Sequence, residues 1–189
     1  MRKIEVILAG VIVLLLVIIG VLVWQRTQSD EDDASFSVTI SGARADSFTS
    51  GEVFYEFVDE YFLDEKQWTH PDTTMLTIQN GSGDTLQVIS INIPVDVEPG
   101  TYALQTPVDL STLPVGATVP VDEFTASYYA PDGASYIADV TGLITLTETG
   151  DRISGEFAFE ASPFDAYGSR ANDPTIQVEG TFEGVSLRR

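Results

Sequence analysis

Two hydrophobic patterns divide the chain, and they meet near residue 25. From Val6 to Trp24 the sequence is apolar without interruption. Nineteen residues at helical rise span about 28 Å, close to the hydrocarbon thickness of a bilayer. This predicts one transmembrane helix within residues 1–24. Residues 25–34 are polar and acidic with no periodicity, so they read as a linker. From Phe36 the period becomes two: Phe36, Val38 and Ile40 alternate with Ser37, Thr39 and Ser41 until Gly42.

Strand signals continue to the C-terminus. In Glu52–Phe62 the residues Phe54, Phe57, Val58, Tyr61 and Phe62 fit a helical wheel, but their aromatic and β-branched content favours a strand through about Phe57. Met75–Gln79 and Thr85–Ile93 flank Asn80-Gly81-Ser82-Gly83-Asp84, a hairpin sequence whose glycines supply left-handed turn positions. On the return strand Leu86 and Val88 give way to Ile89, Ile91 and Ile93, and this change of phase predicts a β-bulge. Pro94 ends that strand, and Pro99-Gly100 turns the chain into a short one over Thr101–Gln105. A proline-containing loop runs on to about Pro120. Pro131-Asp132-Gly133 joins Phe124–Tyr129 to Ser135–Val140, and Thr149-Gly150-Asp151 joins Gly142–Glu148 to Arg152–Ala161.

The last two strands alternate most cleanly. Ile153, Gly155, Phe157 and Phe159 point one way, against Ser154, Glu156, Ala158 and Glu160. Ile176, Val178, Gly180 and Phe182 repeat the pattern against Gln177, Glu179, Thr181 and Glu183. The expected fold is all-β: an antiparallel sandwich or barrel of about 8–9 strands over residues 35–189, preceded by the single N-terminal helix.

The apolar segment is expected to stay attached. A cleaved signal carries a shorter apolar core and a small-x-small site, and Val21-Leu22-Val23-Trp24 offers none. Lipid attachment needs a cysteine, which the chain lacks. Arg2 and Lys3 precede the segment, whereas Arg26 alone separates it from Asp30-Glu31-Asp32-Asp33. The positive-inside rule then predicts a single-pass cell-membrane protein, N-terminus in the cytoplasm and C-terminal domain outside.

Composition narrows the partners. From residue 25 onward the chain holds 28 acidic and 7 basic side chains, a formal charge of −21. Such a surface repels nucleic acid, which excludes it as a partner. An envelope protein, a glycan or a small ligand stays in view. The absence of cysteine removes disulfides and thiol chemistry, so the domain depends on its hydrophobic core.

Pro99-Gly100-Thr101-Tyr102, Ile144-Thr145-Leu146, Ile153-Ser154-Gly155-Glu156-Phe157-Ala158-Phe159 and Val178-Glu179-Gly180-Thr181-Phe182 occur in that order. Over roughly Met75–Val185 this resembles a family of small uncharacterised bacterial surface domains, often lipoproteins. The resemblance implies a β-rich extracytoplasmic domain and transfers no functional residue. The anchor departs from that pattern, a helix standing where those lipoproteins use a cysteine.

No catalytic motif is visible, so no catalytic or cofactor-binding residue is assigned, no cofactor is expected, and the chain is read as a non-enzyme with a binding role at the envelope; the alternatives are a structural envelope component without a discrete ligand and a hydrolase acting on polysaccharide through paired carboxylates. His70 is the only histidine and sits in the loop-like Trp68-Thr69-His70-Pro71-Asp72, without a nucleophile elbow. The metal assignment stays open. Asp30–Asp33 lacks the spacing of a calcium loop, yet direct pairing of the last two strands would gather Glu156, Glu160, Glu179 and Glu183 on one face, where a cation would relieve their repulsion. Gly155 and Gly180 are expected to leave room for neighbouring rings, the alternative being an open lumen. A binding role would show as a pocket lined by Trp68, Tyr128, Tyr129 or Tyr136.

Overall fold

The computed structural model describes residues 34–59, 61–63, 68–108, 112–139, 141–165, 168–169 and 174–188. The chain divides into two units, Met1–Asp33 and Ala34–Arg189. The predicted transmembrane segment, residues 1–24, lies outside the described residues. No helix among the described residues is long and apolar enough to cross a membrane.

The domain is all-β. Its strands are β1 (Ser35–Gly42), β2 (Asp46–Phe48), β3 (Glu52–Val58), β4 (Tyr61–Leu63), β5 (Trp68–His70), β6 (Thr73–Asn80) and β7 (Gln87–Ile93). They continue with β8 (Gly100–Gln105), β9 (Phe124–Tyr129), β10 (Ser135–Ala138), β11 (Leu143–Glu148), β12 (Arg152–Asp165), β13 (Gly168–Ser169) and β14 (Ile176–Arg188). A 3₁₀ turn, Gly83–Thr85, precedes β7. Glu52–Val58 is thus a strand, as its residue types favour over its helical spacing.

One large sheet contains every strand except the β4–β5 pair. Its pairings run β12-β11-β8-β9-β7-β6-β3-β14, and β14 pairs back onto β12, so the path closes on itself. β10 bridges β12 and β9, while β1 and β2 continue outward from β14. Most pairs are antiparallel; β8–β9 and β14–β3 are short parallel contacts. The long strands make the closure work. β12 pairs β11 through Ser154–Ala158 and β10 through Ala161–Phe164 along one edge, and holds β14 along the other.

Inward positions of these strands fuse into one core. Ile78, Ile89, Ile91, Leu104, Ile144, Ile153, Ile176 and Val178 are fully buried within it. Gly155 and Gly180 serve this packing. Cross-strand partners are Gly155↔Phe182 and Phe157↔Gly180, so each ring lies over the other strand's glycine. The two rings stack with centroids 6.4 Å apart. A Cβ on Gly180 would sit 2.4 Å from Phe157 Cζ, and one on Gly155 would sit 2.2 Å from the Thr145 carbonyl oxygen. Aromatic cover fills the space that a lumen would need.

The expected bulge in the hairpin is absent. β6 and β7 stay in register from Thr74↔Ile93 to Asn80↔Gln87. The inward series on β7 begins at Gln87, in phase with Ile89, and Leu86 lies in the turn. A polar residue holds the first core position, its amide oxygen and nitrogen both hydrogen-bonded, as described below. The register breaks instead beside Ser154, against both β11 and β14. There the Ser154 hydroxyl donates to Glu148 Oε2 at 2.8 Å and accepts from the Gly184 N–H at 3.0 Å.

Candidate binding site

The register defines two ends of the domain. At one end lie the β6–β7 turn, the end of β9 and the start of β10, with three of the tyrosines whose display in a pocket would have favoured binding. Tyr128 and Tyr136 are buried rather than displayed, their rings tilted with centroids 6.0 Å apart. Tyr128 OH donates to Gln87 Oε1 at 2.9 Å, and Gln87 Nε2 donates to Asp46 Oδ2 at 2.7 Å. Arg44 Nε donates to Tyr136 OH at 2.9 Å, and the same guanidinium pairs with Asp132. The guanidinium also lies over the Tyr136 ring, 5.6 Å from its centroid.

This network ties the β1–β2 connection to the β9–β10 hairpin. Burial pushes the Tyr128 hydroxyl up to about 12, while the Arg44 hydrogen bond holds the Asp132 carboxyl below the usual carboxylate range. Tyr129 alternates to the other face of β9 and is 43% exposed. The Trp68 side chain lies outside the described residues.

The last two strands do pair directly and their glutamates share one face, Glu156 lining one hollow with Glu179 and another with Glu183, but none stands directly opposite another. Opposite Glu156 stands Thr181, opposite Glu179 stands Ala158, and opposite Glu160 stands Gln177. Gln177 Nε2 donates to Glu160 Oε2 at 3.0 Å, while Glu183 pairs with Ser35 across β1. Cross-strand partners that are neutral remove the direct repulsion. Among the described residues no three His, Asp or Glu side chains gather as a metal-ligand set. Asp30–Asp33 lies outside the described residues. His70 closes β5, its Nδ1 2.9 Å from the Pro71 carbonyl oxygen.

The opposite end presents the candidate site. The β7–β8 connection, Pro94–Pro99, runs between two depressions that share Asp96 and Val97. The first holds about 500 Å³ and is walled by Tyr55, Phe57, Val97 and Leu187, with Asp59, Asp96 and Asp151 among its lining. Tyr55 is fixed there by its hydroxyl, which donates to Thr74 Oγ1 at 3.0 Å. The second holds about 530 Å³. Its wall carries the stacked rings of Tyr102 and Phe124, centroids 4.5 Å apart, and its carboxylates are Asp96, Glu98, Asp122 and Glu123. Tyr102 OH donates to the Glu98 carbonyl oxygen at 2.6 Å, which sets that ring.

No basic side chain stands among the described residues lining either depression. Asp96 adopts a left-handed backbone, φ 61°, a conformation that aspartate tolerates better than most residues. Val95 beside it is 42% exposed. Carboxylates beside aromatic faces attract cations, by Coulombic attraction and through the ring quadrupole. The sequence pointed to other tyrosines because these walls come from strands distant in the chain. The local signal was Val95-Asp96-Val97-Glu98, apolar and acidic residues alternating outside any strand.

Comparison with protein families, with curated proteins and with solved structures finds no match to the chain, so its reading rests on its own residues and geometry.

Proposed function

We propose that this protein is a membrane-anchored, non-catalytic binding domain at the cell envelope. Residues 1–24 act as an uncleaved signal-anchor, and residues 35–189 are held outside the cytoplasm as a barrel-like β domain. The observation that carries the binding role is the pair of acid-rimmed depressions at one end of the domain, which share Asp96 and Val97. A filled interior directs recognition to the exterior, and the charge of that end selects for cations.

Both halves of the reading have a test. The chain has no cysteine, so Ser82→Cys in the exposed β6–β7 turn creates a unique thiol. A membrane-impermeant maleimide applied to intact spheroplasts is expected to label it; labelling only after lysis would overturn the orientation. For binding, the full chain in a neutral detergent is melted with sets of organic cations, anions and neutral analogues. A rise in Tm confined to cations is expected. A blank across all three sets removes the binding role and leaves a structural envelope component, which the filled core also suits.

A further inference from the structure

We propose that Asn80 is a site of spontaneous covalent modification, at which the side-chain amide closes onto the Gly81 nitrogen and is converted to a carboxylate. This inference stands apart from the binding role above and does not rest on it.

The β6–β7 turn supplies both reacting groups. Asn80 is the last residue of β6, paired with Gln87, and Gly81–Thr85 beyond it are all exposed. Gly81 has φ 80°, and a Cβ there would lie 2.3 Å from the Thr85 carbonyl oxygen. The turn therefore demands glycine at this position. Glycine is also the residue that least obstructs approach of its own backbone nitrogen to the preceding side chain. The end of a hairpin opens locally at low cost, which lets the Gly81 nitrogen and Asn80 Cγ meet.

A second observation separates Asn80 from its neighbours. Gln79 Nε2 donates to Glu52 Oε2 at 2.9 Å, and the Gln87 amide is bonded at both ends. Among the described residues no hydrogen bond holds the Asn80 amide. Asn92 is the internal contrast. It precedes the β-branched Ile93, its Oδ1 accepts from Thr73 Oγ1 at 2.5 Å, and its Nδ2 donates to the Glu123 carbonyl oxygen at 3.0 Å. One asparagine is free beside a glycine; the other is tied down beside a branched chain.

The reaction needs water and no other reagent. The Gly81 nitrogen loses its proton and attacks Asn80 Cγ. The new C–N bond closes a succinimide ring, and the Cγ–Nδ2 bond breaks, with Nδ2 leaving as ammonia. Water then opens the ring. Attack at Cγ leaves aspartate and a normal backbone. Attack at the Asn80 backbone carbonyl carbon leaves isoaspartate, with the chain running through Cγ. Either product adds a negative charge, and isoaspartate lengthens the backbone where β6 meets Gln87. That glutamine bonds both Tyr128 and Asp46, so the insertion falls opposite the residue that anchors the network at this end.

The experiment is timed incubation of the full chain in neutral detergent and mildly alkaline buffer, followed by peptide mapping with mass spectrometry and enzymatic methylation of isoaspartate. Conversion at Asn80 is expected to run at least about tenfold faster than at Asn92, a barrier lower by about 1.4 kcal/mol. Asn80→Ser keeps the turn glycine and removes the amide, so it should abolish the isoaspartate signal from this peptide; its melting curve verifies folding. A parallel incubation in denaturant reads the reactivity of the sequence alone. If Asn80 converts in the unfolded chain and stays intact in the folded one, the hairpin holds the two atoms apart and the proposal fails. Equal conversion at Asn80 and Asn92, or a signal that persists in Asn80→Ser, overturns it as well.

Discussion

Replacing Gly155 with alanine is expected to destabilise the domain by about 3 kcal/mol or more, the upper range for overpacking a core. The new methyl carbon would lie 2.2 Å from the Thr145 carbonyl oxygen and 3.0 Å from Phe182 Cζ. The oxygen belongs to the backbone of β11, so relief requires separating β11 from β12 across the closed path. Gly180→Ala is expected to cost about 2 kcal/mol, because its principal clash is with the far edge of the Phe157 ring. Shortening that ring tests the difference. Phe157→Leu should recover part of the loss in Gly180→Ala and none in Gly155→Ala, read as a non-additive double-mutant cycle in chemical denaturation. Two alanine variants of near-wild-type stability would mean that the rings do not cover the glycines.

The second large effect is alkaline. With the buried Tyr128 hydroxyl pushed up to about 12 from its ordinary value of 10, both folded and unfolded chains keep the proton below pH 10, and stability is undiminished there. Between pH 10 and 12 the unfolded chain releases the proton while the folded chain retains it. Stability therefore falls as pH rises, by about 2–3 kcal/mol at pH 12 from this group. Tyr128→Phe removes that slope. At neutral pH the variant should lose about 1 kcal/mol, because Gln87 Oε1 loses its donor. The two stability curves should thus converge and cross between pH 10 and 12. Parallel curves would show that Tyr128 titrates as an exposed phenol.

Most of the strand pattern was legible because outward serine, threonine and glutamate alternate with inward Ile, Val and Phe on β1, β12 and β14. Turns were equally plain: Pro131-Asp132-Gly133 closes β9–β10, with the Gly133 N–H donating to the Ala130 carbonyl. Misreadings arose where polarity and burial part company. Gln87 occupies an inward site, so an unbroken strand looked bulged. Near the end of β14 the true irregularity hid the pattern: inward Phe182 and Val185 are three residues apart, and the strand runs on to Arg188 beyond the clean alternation.

The candidate site was the least legible part. Tyr128 and Tyr136 were among the aromatics whose display in a pocket would have favoured binding, but nothing local says that Gln87, 41 residues from Tyr128, and Arg44, 92 residues from Tyr136, bond them in a buried network. Nor does it say that Tyr102 stacks on Phe124 beside the Pro94–Pro99 connection. Burial of a tyrosine with a bonded hydroxyl and exposure of one at a pocket have the same local sequence. Tertiary pairing decides between them.

The central claim is that one end of the domain, and not its acidity at large, recognises a cation. Amide-resolved NMR of the full chain in a neutral micelle, titrated with organic cations at constant ionic strength, tests it most directly. Shifts confined to Val95–Glu98, Asp122–Phe124 and the neighbourhoods of Asp59 and Asp151 are the predicted result. Shifts spread across the Glu156–Glu179 face, or centred on Arg44 and Tyr136, would contradict it.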